Sequence, residues 1–189
     1  MVSKKPRAIP FGRRRRQQTD YRKRLSLLKS RLPRVVIRVS NARVIMQVVE
    51  FLPDGDKVLL SVNSAQLASF GWKHGTRNTP AAYLTGYLLG KRAKVADCII
   101  DTGLVQPLKG SVMYAAIKGA VDAGLNVRVS EEIFPSEERA FGSHIAKYAE
   151  TLQKDNPDTY KKVFSGVIKN GGDPTKIAAD VEAVRSKLQ

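Results

Sequence analysis

Four consecutive arginines, Arg13, Arg14, Arg15 and Arg16, are the residues of this chain whose type and spacing most directly dictate chemistry. Adjacent guanidiniums repel one another unless anions or water neutralise them, and each planar fork donates two parallel hydrogen bonds to a phosphate or a base edge. The first 34 residues hold thirteen of the 33 Lys and Arg, Lys5 and Arg7 among them, against a single acid, Asp20. That is +12 of the formal +16, so the remaining 155 residues carry only +4. A nearly neutral body with a cationic arm calls for a polyanion partner.

Two further polar clusters are suited to nucleic acid. Arg38, Ser40, Asn41 and Arg43 surround one turn signal. Trp72, Lys73, His74, Thr76, Arg77 and Asn78 fill another, with an indole able to stack on a base or to join the core. Asn41 tolerates left-handed or turn dihedrals, and its amide can both donate to and accept from a nucleotide. No helix-turn-helix, zinc-finger or basic-zipper spacing is present, so the pattern suits a folded RNA better than B-DNA.

The residues that could catalyse are few. One Cys and two His, His74 and His144, offer no zinc spacing, and no phosphate-cradling glycine motif follows a strand. Asp97 and Asp101 flank the apolar Cys98-Ile99-Ile100, so a strand would put both carboxylates on one face, where they could hold Mg²⁺ for phosphodiester cleavage. The competing reading makes them solvated strand ends, with Asp122 an exposed helix residue beside Lys118. No cofactor, metal or small-molecule substrate is expected. A membrane partner is not expected either, because no apolar run of 18 residues, no secretory signal and no lipidation signal accompanies the charges. A transit peptide would share the arginine richness but not the scarcity of serine. The lone Cys98 cannot form an internal disulfide, which fits a reducing compartment.

The elements that must position these groups follow from periodicity. Thr19 or Asp20 can cap a helix with the stripe Tyr21, Leu25, Leu28 and Leu32, ended by Pro33. Strand-like runs at 34–40, 44–52 and 57–63 make an antiparallel meander, with Val35, Ile37 and Val39 on one face and Val36, Arg38 and Ser40 on the other. Thr79 reads as an N-cap and Pro80 as the first residue of a helix to about Ala93 whose small residues let it lie close to a sheet. Strand 96–101, a loop over 103–110, a helix over 111–123 stopped by Gly124, and strand 126–130 follow. Helices starting near Ser136, Asn156-Pro157 and Asp173-Pro174 close the chain. The expected class is α/β: a mixed sheet, antiparallel meander plus βαβ units, covered by helices. The domains expected are a basic RNA-binding arm over 1–18, a globular α/β domain over 19–150 and a helical C-terminal appendage over 151–189.

Several blocks carry a resemblance. Arg13 to Arg16 followed by Thr19-Asp20-Tyr21-Arg22-Lys23-Arg24-Leu25, then Ile37-Arg38-Val39-Ser40-Asn41, then Asn78-Thr79-Pro80-Ala81-Ala82-Tyr83-Leu84-Thr85-Gly86 resemble the 5S rRNA-binding protein family of the large ribosomal subunit, in its archaeal and eukaryotic form. Lys118 to Leu125 and Ser130 to Pro135 continue the match in the family's order, and the tail with Tyr160-Lys161-Lys162 is similar to the archaeal branch. The resemblance implies a non-enzymatic, cytoplasmic role on the large subunit. There the protein would bind 5S rRNA and help anchor it in the central protuberance, beside large-subunit rRNA and neighbouring ribosomal proteins. It implies rRNA contacts from Lys5, Arg7, Arg13 to Arg16, Thr19, Tyr21, Arg22, Lys23 and Arg24. A sheet edge of Arg38, Ser40, Asn41 and Arg43 and a loop of Lys73, His74, Thr76, Arg77 and Asn78 would add to them. Gln17 and Gln18 stand where the family often has a further basic residue. The alternatives are a metal-dependent nuclease acting on structured RNA and a non-specific RNA-coating protein.

Overall fold

The computed structural model describes residues 9–95 and 97–188, so Lys5 and Arg7 lie outside the described residues. The arm opens with a single helical turn, Gly12–Arg15 (α1), and a second helix, Tyr21–Leu28 (α2). Asp20, rather than Thr19, caps α2: its carboxylate accepts from the backbone N–H of Arg22 at 2.9 Å and of Lys23 at 3.2 Å. The helix stops a turn short of Leu32 because Arg31 takes a left-handed φ of 56°, which breaks the hydrogen-bond ladder before Pro33 is reached.

Strands Arg34–Val39 (β1), Val44–Leu52 (β2) and Gly55–Asn63 (β3) form the expected meander. Asp97–Asp101 (β4) joins β1 in parallel and Asn126–Val127 (β5) joins β4, giving the order β3-β2-β1-β4-β5. The alternation in β1 holds: Val35 and Ile37 are buried opposite Val48 and Met46, while Arg34, Val36 and Arg38 share the other face with Val49, Gln47 and Ile45. β5 is only two residues long, since its ladder reaches no further than Asp97 and Cys98.

The core lies on one face of this sheet. Thr79–Arg92 (α3) is buried along nearly its whole length and packs on Val112–Asp122 (α4). Its cap is Asn78, one residue before the expected Thr79, with the Asn78 Oδ1 accepting from Ala81 N at 3.0 Å. Gly86 and Gly119 permit a close approach of the two helices: a Cβ at either would run into the backbone carbonyl of Ala116 or Tyr83 on the facing helix. The small residues of α3 thus serve a helix–helix contact more than a helix–sheet one.

The expected long helix after Ser136 is split at Gly142, φ +84°, into Glu137–Phe141 (α5) and Ser143–Asp155 (α6). A side chain there would collide with Pro80 at the start of α3. Pro157–Val163 (α7), Ser165–Lys169 (α8) and Ile177–Lys187 (α9) complete the chain. The last of these does not stand apart as an appendage. Ile177, Val181, Val184 and Leu188 join the same buried cluster as α3 and the sheet, because that stripe covers apolar surface α3 would otherwise expose.

Candidate nucleic-acid interface

The arm presents its charge outward. Arg13, Arg14 and Arg15 on α1 and Arg16 just after it are all exposed, and a left-handed Gln17 turns the chain back so that Arg13 Nε donates to Thr19 Oγ1 at 2.9 Å. Tyr21 packs its ring 5.2 Å from that of Phe11, which itself is 72% exposed. Within the next block the side chains part company. Arg22 is exposed. Lys23 turns inward and donates to Thr102 Oγ1 at 3.0 Å and to the Gly103 carbonyl at 2.8 Å, while Arg24 grips Asp56 through both carboxylate oxygens, at 2.8 and 2.9 Å. Lys23 and Arg24 therefore fasten α2 over the open face of the sheet.

Beneath that helix runs a charge network that the residue pattern alone did not disclose. Arg34, only 2% exposed, lies between two carboxylates, 2.7 Å from Asp56 and 2.9 Å from Asp101. Arg38 adds its guanidinium to the Asp101 carbonyl at 2.9 Å. Burial pushes the Asp56 carboxyl up, but hydrogen bonds from Arg24 and Arg34 outweigh it and hold the group below its ordinary range. The one available signal was that Arg34 and Arg38 stand four apart on a single strand face. Their acids come from β3 and β4, and only the sheet order brings those near.

Asp101 accordingly cannot act as a metal ligand of the kind considered above, since its oxygens are taken by Arg34, Arg38 and the Gly103 N–H. Asp97 accepts from Asn126 Nδ2 at 2.6 Å, and Asp122 accepts from the Tyr83 hydroxyl at 2.8 Å instead of pairing with Lys118. Among the described residues no group of three or more His, Cys, Asp or Glu could hold a metal ion. Cys98 is buried, and that burial raises its thiol pKa, so it is a packing residue. No helix among the described residues is long and apolar enough to cross a membrane.

The two polar clusters, 38–43 and 72–78 in the sequence, meet in space. The hairpin tip closes at Ser40, whose hydroxyl and N–H both donate to the Arg43 carbonyl, leaving Asn41 and Ala42 at the apex. Of the two conformations open to it, Asn41 takes the turn and not the left-handed one, and its amide makes no hydrogen bond among the described residues. Thr76 Oγ1 donates to the Ala42 carbonyl at 2.6 Å, so the 72–78 loop leans directly on the tip. Arg43, Lys73 and Arg77 are exposed around this junction.

The loop is rigidly held from within. Trp72 is core, 4% exposed, with its indole N–H donating to the Gly75 carbonyl at 3.1 Å. His74 is not a surface residue as expected: its side chain is 1% exposed and its Nε2 lies 2.7 Å from the Asp180 carboxylate on α9. Asn78 spends its Oδ1 on the cap of α3. Lys73 Nζ donates to the Gly171 carbonyl, 3.2 Å away, tying the loop to the α8–α9 connection as well. A polar loop of this size keeps one shape only because three separate elements hold it.

A cationic arm without enzymatic chemistry, joined to a fixed polar hairpin–loop surface, has close relatives. Residues 8–96 match the family described as "Ribosomal large subunit proteins 60S L5, and 50S L18". The large ribosomal subunit protein uL18 of Korarchaeum cryptofilum (strain OPF8) is 45% identical over 183 residues, covering 95% of this chain and 93% of the relative. Since the archaeal match runs through the arm, the sheet and the C-terminal helices alike, the chain belongs to the uL18 family of large ribosomal subunit proteins, structural constituents of the cytoplasmic ribosome and not enzymes.

Proposed function

We propose that this large-subunit protein binds 5S rRNA and helps anchor it in the central protuberance, against large-subunit rRNA and neighbouring ribosomal proteins. The observation that carries this reading is the hydrogen bond from Thr76 to the hairpin tip, which merges two separate polar clusters into one preorganised surface. Preorganisation matters because a surface already in its binding shape loses little conformational entropy on association. Arg13 to Arg16 and Arg22, with Lys5 and Arg7 by their charge, supply phosphate contacts; Asn41, Arg43, Lys73, Thr76 and Arg77 read the shape of the folded RNA. Lys23, Arg24 and Arg38 position the arm and sheet edge, and Ser40, His74 and Asn78 hold the hairpin and loop.

A gel shift of the full chain with labelled 5S rRNA, challenged by unlabelled tRNA at several salt concentrations, tests the reading. The complex should survive a tRNA excess that displaces a non-specific binder. Equal competition by tRNA and unlabelled 5S rRNA would return the protein to the class of RNA-coating proteins.

A further inference from the structure

The gap beneath α2 is a cavity with a composition of its own. It holds about 720 Å³ between the arm and the open face of the sheet, within the range of sites that take a small ligand. α2 has no buried residue, and Leu25 on it is 59% exposed. The helix therefore does not settle into this space as an amphipathic helix would; its bonds to Asp56, Thr102 and Gly103 hold it above.

Val36 and Val58 give the floor its apolar surface, with Gln47 opposite Val36 and the buried Val49 opposite Val58 on the same sheet face. Around it stand five cations, Arg13, Lys23, Arg24, Arg34 and Arg38, against the three acids Asp20, Asp56 and Asp101. The excess is positive. The Nε of Arg34 is buried without a hydrogen-bond partner, and the Gln18 amide and Tyr21 hydroxyl at the rim make no side-chain hydrogen bond among the described residues. An apolar floor, a cationic rim and unused polar groups able to meet a base edge are together the chemistry that takes one nucleotide.

We propose that this groove receives a single unpaired nucleotide of RNA, its base over Val36 and Val58 and its phosphate toward Arg13 and Arg38. A base still paired in a stem cannot enter without leaving its stack, which is why the occupant is unpaired. The proposal rests on the RNA-binding reading above and adds to it a subsite separate from the hairpin–loop surface.

Val58, 49% exposed at the groove floor, allows the space to be filled without opening the core. Fluorescence anisotropy should compare the full chain with Val58→Trp on 5S rRNA, on tRNA and on a blunt RNA duplex with no unpaired nucleotide. The variant should bind both looped RNAs about tenfold more weakly, the scale of one stacked base, with a salt slope flatter by no more than about 0.7, one phosphate contact, while affinity and slope on the duplex stay unchanged. Gln47→Glu, which places a negative charge on the same lining, should show the same selectivity and stands in should the tryptophan variant melt at a lower temperature than the parent. Unchanged affinity for looped RNA in both variants overturns the proposal, as does an equal loss on the duplex, because that would mean the arm had been displaced. Tight binding of free uridine monophosphate that RNA does not compete away also overturns it. A parent protein that fails to distinguish 5S rRNA from tRNA defeats the functional reading alone, since the groove is still judged by looped RNA against duplex.

Discussion

Asp101 shows how an environment assigns a carboxylate its role. On sequence it could have been half of a Mg²⁺ site; in the fold it neutralises Arg34, a guanidinium 2% exposed, while a strand neighbour on the same face, Asp97, merely meets Asn126. Removing one member of a buried pair leaves the other charge stranded. Asp101→Asn should lower unfolding stability by about 3 kcal/mol in urea titration. A loss below about 1 kcal/mol would mean that Asp56 alone suffices for Arg34. Asn41 is the converse case, a residue with nothing to hold in the fold. Because it is not left-handed, Asn41→Ala should leave the melting temperature unmoved. The preference for 5S rRNA over tRNA should fall by about 1 to 2 kcal/mol, the worth of one good polar contact. A full preference retained in competition binding would shift the specificity to Arg43 and the 72–78 loop.

At the scale of elements, two attachments can be separated by experiment. α3 and α4 touch backbone to backbone at Gly86 and Gly119, so Gly86→Ala forces the helices apart. A penalty of about 2 to 3 kcal/mol is expected, visible as a lowered thermal midpoint, although alanine is normally the better helix former. α2, in contrast, has no fully buried residue and is fastened to the sheet by the polar bonds of Lys23 and Arg24. The depressed pKa of Asp56 makes its share of that attachment fully present above the ordinary carboxylate range and lost as pH falls through its lowered folded value. Amide protection within α2, taken relative to the intrinsic exchange rate at each pH, should therefore fall on acidification before that of α3 does. Simultaneous loss of protection in both helices would show that Asp56 contributes nothing separate to the arm.

At the scale of the molecule, charge and shape are divided between regions. The first 34 residues carry +12 of the formal +16, with Arg13 to Arg16 and Arg22 exposed, whereas the hairpin–loop surface carries few charges in fixed positions. Replacing Arg13, Arg14, Arg15 and Arg16 together by alanine should weaken binding to every RNA. It should also flatten the dependence of log affinity on log salt by about 0.7 for each phosphate the arm no longer neutralises. Preference for 5S rRNA should persist. A slope that stays as steep would place the run away from phosphate.

Much of this protein was legible in its residues, for local reasons. Alternation in β1, the turn at Asn41, the Pro80 helix start and the Gly124 stop each depend on residues within one turn of themselves, and the charge of the arm is a matter of counting. The family blocks added what such patterns cannot state, a ribosomal role. Tertiary structure decided the rest wherever an outcome depended on which distant segments became neighbours. Arg34 became a buried ion-pair centre because β3 and β4 flank the sheet so as to bring Asp56 and Asp101 to it. His74 turned inward because α9 offered Asp180, and α9 itself joined the core because α3 had an apolar face to cover. Periodicity marks the face an element must bury, but the partner that buries it, and hence the side chains left free to meet RNA, is settled only by packing the whole chain.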